Sequence, residues 1–106
     1  MSKVLDLSLK QHWFDEIKKG AKKKEYRDAS NLYYVQKLIR YGDYVGKSNE
    51  EIRNSIKAGK LPIKAVDYDF VRFHCGAQMM MVEYKGLSLE GNNWVISLGD
   101  VKRTNV

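Results

Sequence analysis

Cysteine and histidine are scarce in this chain. Cys75 is the only cysteine among 106 residues, so an intrachain disulfide is impossible and a reducing, cytoplasmic environment is expected. The two histidines, His12 and His74, lie far apart in the sequence and offer no metal-ligand spacing, so no metal site is predicted. The glycines occur singly, without the spacing of a phosphate-binding loop, so nucleoside triphosphate hydrolysis is not predicted. No cofactor is predicted either.

Long apolar segments are also missing. No apolar run approaches the roughly 20 residues that span a membrane, and the first six residues contain no apolar signal core. No membrane association is therefore predicted. Apolar residues make up 43% of the chain and charged residues 30%, which is typical of a globular domain. The length predicts one domain over residues 1–106, burying roughly 65% of the surface of the unfolded chain.

Positive charge is concentrated in the first third of the chain. The net charge is +6, and residues 1–40 contain ten Lys or Arg against five Asp or Glu. Residues 41–106 contain nine against eight, and are therefore almost neutral. This asymmetry favours a polyanionic partner at one place on the molecule. A module that binds only proteins would be expected to have a more neutral first third.

Hydrophobic periodicity predicts an α+β fold of about five strands and two or three short helices, arranged as a small mixed barrel-like sheet. The predicted strands are residues 4–9, 22–28, 69–75, 79–89 and 94–103. The first two predicted helices are residues 11–19 and 31–40, the second capped by Ser30 with Leu32, Val35 and Ile39 facing inward.

Residues 42–66 interrupt the pattern and are predicted to be an insertion. The single proline and three of the glycines punctuate it: Gly42, Gly46, Gly59 and Pro62. Ser48 and Glu51 form an S-x-x-E capping box, which predicts a third helix. Ile52 and Ile56 are its two apolar anchors, spaced for one helix face.

The segment of greatest interest is residues 20–27, G-A-K-K-K-E-Y-R, which we call the lysine segment. Its glycine ends the first predicted helix, and an extended chain follows. Alternation then predicts that Glu25 and Arg27 share one face within salt-bridge reach, while Tyr26 is buried on the other. An acid beside a guanidinium, entered through a lysine-rich turn, suits a phosphate, a carboxylate or a base edge. The alternative is a solvated charge run with no site.

The run L-S-L-K-Q-H-W-F-D-E-I-K-K-G-A-K-K-K-E-Y-R resembles the signature of the ASCH domain, a PUA-like β-barrel family. The resemblance extends to residues 68–73, 81–86 and 95–101, which are similar to strands of the small bacterial and phage members. It omits the insertion. The signature positions matched are Leu7, Ser8, Lys10, Trp13, Ile17, Gly20, Lys22, Glu25 and Arg27.

The resemblance implies a basic cleft between the first helix and the strand that carries Glu25 and Arg27, and a ligand that is RNA or nucleotide-like. Some small members are amidohydrolases of a modified cytidine nucleoside and carry a threonine nucleophile three residues after the lysine. In this chain that position is Glu25, and a carboxylate cannot follow the same hydroxyl route. Amidohydrolysis by that mechanism is therefore doubtful.

Two functional hypotheses remain for the lysine segment. In a binding module, Lys22, Lys23 and Lys24 form an electrostatic rim, Arg27 is the directional donor, and Glu25 orients Arg27 or accepts from an exocyclic amine. In an enzyme acting on RNA or a modified nucleoside, Lys22 is a base or charge stabiliser and Glu25 a general acid/base. No hydroxyl or histidine nucleophile lies beside Lys22 to favour the enzyme.

Five further side chains complete the candidate set. Trp13 either stacks on a base or packs against the sheet beside Ile17. Lys10 and Arg72 are assigned to ligand binding, and His74 shares the strand face of Arg72. Cys75 is expected to be a buried small hydrophobe.

Overall fold

The computed structural model describes residues 3–105 and confirms the predicted α+β class. Within these residues it contains five β-strands, three α-helices and one 3₁₀ turn at Tyr41–Asp43. The strands are β1 (Val4–Ser8), β2 (Lys24–Asp28), β3 (Phe70–Cys75), β4 (Gln78–Glu90) and β5 (Asn93–Asn105). The helices are α1 (Gln11–Lys18), α2 (Leu32–Leu38) and α3 (Asn49–Lys57).

All five strands belong to one sheet, in the order β1-β3-β4-β5-β2. The strand β1 runs parallel to β3, and β3 runs antiparallel to β4. Leu5 pairs with Val71 and Leu7 with Phe73, and all four side chains are buried. The predicted alternation of these two strands is therefore confirmed, because period-2 spacing places their apolar residues on one covered face.

The chain divides into two compact units, and residues 3–25, 67–86 and 97–105 form the first. Its core combines the apolar faces of β1 and β3 with Phe14 and Ile17 of α1. The helix α1 ends before Gly20, whose φ of +83° is readily adopted only by glycine, as the stop signal predicted. Trp13 is 44% exposed, because Phe14 and Ile17 fill the buried face of α1.

The second unit consists of residues 26–66 and 87–96. The helix α2 begins one residue later than predicted and is capped by Asn31, whose side chain accepts a hydrogen bond from the Tyr33 amide. Ser30 instead donates to Asp28, so its predicted capping role is wrong. Leu32 was predicted to face inward and is 47% exposed. The buried side of the segment is formed by Val35, Leu38 and Ile39.

The insertion folds within this second unit. The capping box of α3 is confirmed, with the Ser48 hydroxyl accepting from the Glu51 amide at 3.2 Å. A single bridge pairs Ile39 with Ala65, so the end of the insertion returns to the chain that leaves α2. The Tyr44 hydroxyl, which donates to the Pro62 carbonyl at 2.8 Å, joins the two ends of the insertion. That the two units make up a single domain over residues 1–106 stays a prediction.

The two longest strands meet in a tight hairpin. Gly91, at a φ of +58°, and Asn92 form the turn between β4 and β5. Beyond the turn, Trp94, Val95 and Ile96 are all fully buried, which means that both faces of β5 are covered at this point. The alternating pattern expected of a half-exposed strand is therefore absent there, because a strand covered on both faces needs no polar side.

The two isoleucines of α3 allow a test of this packing. Ile52 is fully buried and Ile56 is only partly buried. We expect Ile52→Ala to lower the free energy of unfolding by about 2–4 kcal/mol, because it removes buried methyl groups and leaves a cavity. The matched variant Ile56→Ala is expected to cost about half as much or less. Urea unfolding monitored by circular dichroism measures both changes, and equal losses would contradict this account of α3.

Candidate nucleic-acid interface

The lysine segment carries an enclosed ion pair in the first unit. The Lys22 ammonium lies 3.1 Å from the Glu25 carboxylate, and the two side chains are only 19% and 7% exposed. Glu25 is the one charged residue that is buried among those the structure describes. A buried carboxylate requires a compensating charge, and Lys22 provides one. Lys22, which was predicted to be part of an electrostatic rim, is thus largely covered and paired with Glu25.

The same ammonium group also contacts an aromatic ring. The Lys22 nitrogen lies 4.1 Å from the centroid of the Trp13 ring, within the range of a cation–π contact. The His12 ring packs edge-on against Trp13, with their centroids 4.6 Å apart. Trp13 is nevertheless 44% exposed. Its indole is therefore held in place and still accessible, which corrects the expectation that it packs away beside Ile17.

The local chain explains how this contact arises. After α1 ends, the amides of Ala21 and Lys22 both donate to the Glu16 carbonyl, at 3.0 and 3.2 Å. This turns the chain back over the end of α1 before β2 begins. The side chain of Lys22 is thereby directed toward Trp13 of α1 and toward Glu25 of β2.

The other lysines of the segment face solvent. Lys23 and Lys24 are exposed, and the Lys23 carbonyl accepts a hydrogen bond from the Leu98 amide of β5 at 2.9 Å. Lys10 is also exposed and occupies the N-cap position of α1, three residues before Trp13. These side chains supply positive charge without the burial seen at Lys22. We use the term lysine–tryptophan surface for Trp13, Lys22, Lys23, Lys24 and Glu25.

The side chains of β2 alternate between two faces as predicted, but the face that was expected to be exposed is the covered one. Glu25 and Arg27 are on the covered side, and Tyr26 is 47% exposed. The prediction that Tyr26 is buried is therefore wrong. The acid tolerates burial because Lys22 compensates its charge, and this leaves the tyrosine on the open face. The predicted ion pair between Glu25 and Arg27 stays a prediction.

Arg27 belongs to the second unit and contacts a tyrosine there. Its guanidinium donates to the Tyr34 hydroxyl at 3.0 Å, and the Arg27 Cζ atom lies 5.3 Å from the centroid of that ring. Tyr33 packs edge-on against Tyr34, and the Lys37 ammonium lies 5.7 Å from the Tyr33 ring centroid. Sequence analysis missed these aromatic residues. The sequence did contain a signal for them, because Tyr33 and Tyr34 lie four and three residues before Lys37 on a predicted helix.

Arg72, another candidate binding residue, is engaged in a separate cluster of the first unit. Its guanidinium donates two hydrogen bonds to Asp6, at 2.6 and 3.0 Å. His74 lies 3.0 Å from the same carboxylate, and all three side chains are between 39% and 50% exposed. The Arg72 hydrogen bonds, supported by His74, hold the pKa of Asp6 at about 2. Arg72 and His74 share a face as predicted, but both are directed to Asp6.

The remaining chemical candidates are modest. Cys75 is only partly buried, and its sulfur lies 3.4 Å from the Gln11 side-chain oxygen, which corrects the expected full burial. Across residues 3–105, no three His, Cys, Asp or Glu side chains are grouped so that they could hold a metal ion. Over the same residues, no helix is both long and apolar enough to cross a membrane.

Comparisons of the chain with protein-family models, with curated proteins and with solved structures found no match.

The Asp6 cluster predicts a small acid-dependent loss of stability. The pKa of Asp6 is about 2 in the folded protein, below its ordinary value of 3.8. The ionised carboxylate therefore contributes stability above about pH 4, and this contribution is lost as the pH falls toward about 2. Because the group is half exposed, we expect less than about 1 kcal/mol.

Urea unfolding of the wild type and of Asp6→Asn, measured between about pH 5 and about pH 2, checks this expectation. The difference in unfolding free energy between the two proteins should shrink as the pH falls. Asp43→Asn, at an exposed aspartate of the second unit, is the control and should show a smaller change in that difference. A difference that stays constant for Asp6→Asn would show that Arg72 and His74 do not stabilise the ionised form.

Proposed function

We propose that this protein binds RNA or a nucleotide-like ligand at the lysine–tryptophan surface. The observation that carries the proposal is the position of Lys22, 4.1 Å from the ring centroid of a 44% exposed tryptophan and 3.1 Å from a buried carboxylate. These contacts hold Trp13 in one orientation while its ring remains accessible. An aromatic ring that is held by neighbouring contacts beside exposed lysines is typical of surfaces that bind single-stranded nucleic acids.

Each residue has a distinct part in this proposal. Trp13 stacks on a base, and the exposed Lys23 and Lys24 attract the neighbouring phosphates. Lys22 acts as a positioning residue, since its charge is already compensated by Glu25 and its ammonium lies over the indole. Stacking gives affinity for any base, and hydrogen bonds to base edges are needed for sequence preference. The surface is therefore proposed to bind with little sequence selectivity.

Two further observations support a polyanionic ligand. The ten basic residues against five acidic ones in residues 1–40 raise the positive potential where the lysine segment lies. The resemblance of the same run to the ASCH signature points to RNA or a nucleotide-like ligand, and membership of that family is part of the proposal. The resemblance is an argument by analogy, because one fold hosts many functions.

A second candidate function is an enzyme acting on RNA or a modified nucleoside. The observation in its favour is the direct contact between Lys22 and Glu25, because an enclosed amine–carboxylate pair can act in general acid–base catalysis. Incubation of the protein with oligoribonucleotides and acylated nucleosides, followed by chromatography of the products, tests this candidate. Turnover that is lost in Glu25→Gln would favour the enzyme. Substrates that remain unchanged after incubation would favour the binding module.

Intrinsic fluorescence tests the role of Trp13. The protein has two tryptophans, of which Trp94 is fully buried and Trp13 is not. We expect a single-stranded oligoribonucleotide to quench the emission of the wild-type protein, because a base stacked on an indole quenches it. In Trp13→Phe the remaining Trp94 emission should be insensitive to the oligonucleotide. Quenching that persists in Trp13→Phe, or is absent from the folded wild type, would contradict stacking at Trp13.

Salt dependence tests the two exposed lysines. With about four phosphate contacts to a single strand, the slope of log K against log salt should be roughly −3. Lys23→Ala or Lys24→Ala should make the slope shallower by about 0.7 per lost contact, as measured by fluorescence anisotropy between about 50 and about 200 mM salt. Lys60→Ala, at an exposed lysine of the insertion, is the control and should leave the slope unchanged. An equal change in all three variants would indicate attraction to overall charge and no defined surface.

A further inference from the structure

Four side chains of the second unit form a continuous row of cations and aromatic rings. Arg27 contacts Tyr34, Tyr34 contacts Tyr33, and Tyr33 contacts Lys37. We use the term tyrosine row for these four residues. None of them belongs to the lysine–tryptophan surface, so an inference about the row goes beyond the function proposed above.

We propose that the tyrosine row is a second binding surface for single-stranded nucleic acid. Its central ring, Tyr33, is 55% exposed, although a tyrosine offers considerable apolar area for burial. Tyr34 is only partly exposed and supports Tyr33 through an edge-to-face contact with centroids 5.4 Å apart and planes at 76°. The exposed ring is therefore backed by an anchored one, which suits it to stack on a base.

The anchoring has an identifiable cause. Arg27 emerges from β2 and donates to the Tyr34 hydroxyl at 3.0 Å, so the ring is fixed at its polar end. At the other end of the row, Lys37 follows Tyr33 by four residues on α2 and therefore lies on the same helix face. Its ammonium is 5.7 Å from the Tyr33 ring centroid. A base stacked on Tyr33 would thus have a cation within reach of its phosphate.

Charge favours a nucleic acid over a protein as the occupant. Residues 26–40 contain Arg27, Lys37 and Arg40, and their only acid is Asp28. That carboxylate accepts hydrogen bonds from the amide and hydroxyl of Ser30, at 2.9 and 2.7 Å. Aromatic rings interleaved with cations are typical of surfaces that bind single-stranded nucleic acids. The acidic side chains of a peptide could contact these cations, but they have no ring to stack on Tyr33.

Photo-cross-linking with an oligoribonucleotide that contains 4-thiouridine identifies the surface that is contacted. Trypsin cuts after Arg27 and Lys37, so Tyr33 and Tyr34 fall in the peptide of residues 28–37, whereas Trp13 falls in residues 11–18 and Tyr26 in residues 25–27. We expect cross-links on the peptide of residues 28–37. Cross-links that map only to other peptides, or the absence of any cross-link, would overturn the proposal.

Affinity measurements with matched variants test the stacking itself. Tyr33→Ala should weaken binding of an oligoribonucleotide by roughly 5- to 150-fold, and Tyr33→Phe should bind almost as the wild type does. Tyr26→Ala, which removes an exposed tyrosine outside the row, should change the affinity less than about twofold. A loss for Tyr26→Ala equal to that for Tyr33→Ala, or no loss for Tyr33→Ala with the fold intact by circular dichroism, would reject the row as a binding surface.

An abasic oligonucleotide of the same length separates the base from the phosphate. It carries the phosphates without bases, so the difference in affinity between the wild type and Tyr33→Ala should disappear. A difference that persists would mean that Tyr33 does not stack on a base, and would overturn the proposal. The Trp13 fluorescence experiment reports on the other surface, so either proposal can fail while the other stands.

Discussion

The enclosed ion pair between Lys22 and Glu25 is the interaction on which the candidate interface depends. A carboxylate that is almost fully covered must have a compensating charge, and the ammonium of Lys22 lies 3.1 Å from it. The same ammonium lies 4.1 Å from the centroid of the Trp13 ring, and the turn after α1 places it there. One electrostatic constraint in the first unit therefore determines which face of β2 is covered and where an aromatic ring is exposed.

Each compact unit contains a cation held against an aromatic ring, and the two examples differ in kind. At the lysine–tryptophan surface a largely covered cation positions an exposed ring, and separate exposed lysines add positive charge. In the tyrosine row, by contrast, Arg27 anchors Tyr34 while Lys37 lies beside the exposed Tyr33. Apolar aromatic surface is more stable when it is removed from water. Rings that remain exposed beside cations therefore indicate surfaces that could bind a ligand. Both surfaces are proposed to bind single-stranded nucleic acid, and each proposal is tested by a separate experiment.

Most of the local structure could be predicted from the pattern of residues. The alternation of β1 and β3, the glycine stop after α1 and the capping box of α3 are local signals, and each is confirmed. The errors concern residues with two reasonable environments. Ser30 and Asn31 are both good caps, and hydrogen bonding of Ser30 to Asp28 left Asn31 as the cap. The contact between Arg72 and Asp6 was not predicted, because the two residues lie 66 positions apart in the sequence.

By itself, the sequence determined the α+β class, the positions of most strands and helices, and the concentration of positive charge in residues 1–40. These properties follow from period, capping and composition, which act between near neighbours along the chain. Only the tertiary structure decided that Glu25 is buried and Tyr26 exposed, that Trp13 stays accessible, and that Arg72 is bound to Asp6. Alternation predicts which residues share a face of a strand, but it does not say which face is covered. That choice depends on where the compensating charge of Lys22 comes to lie after the chain has folded.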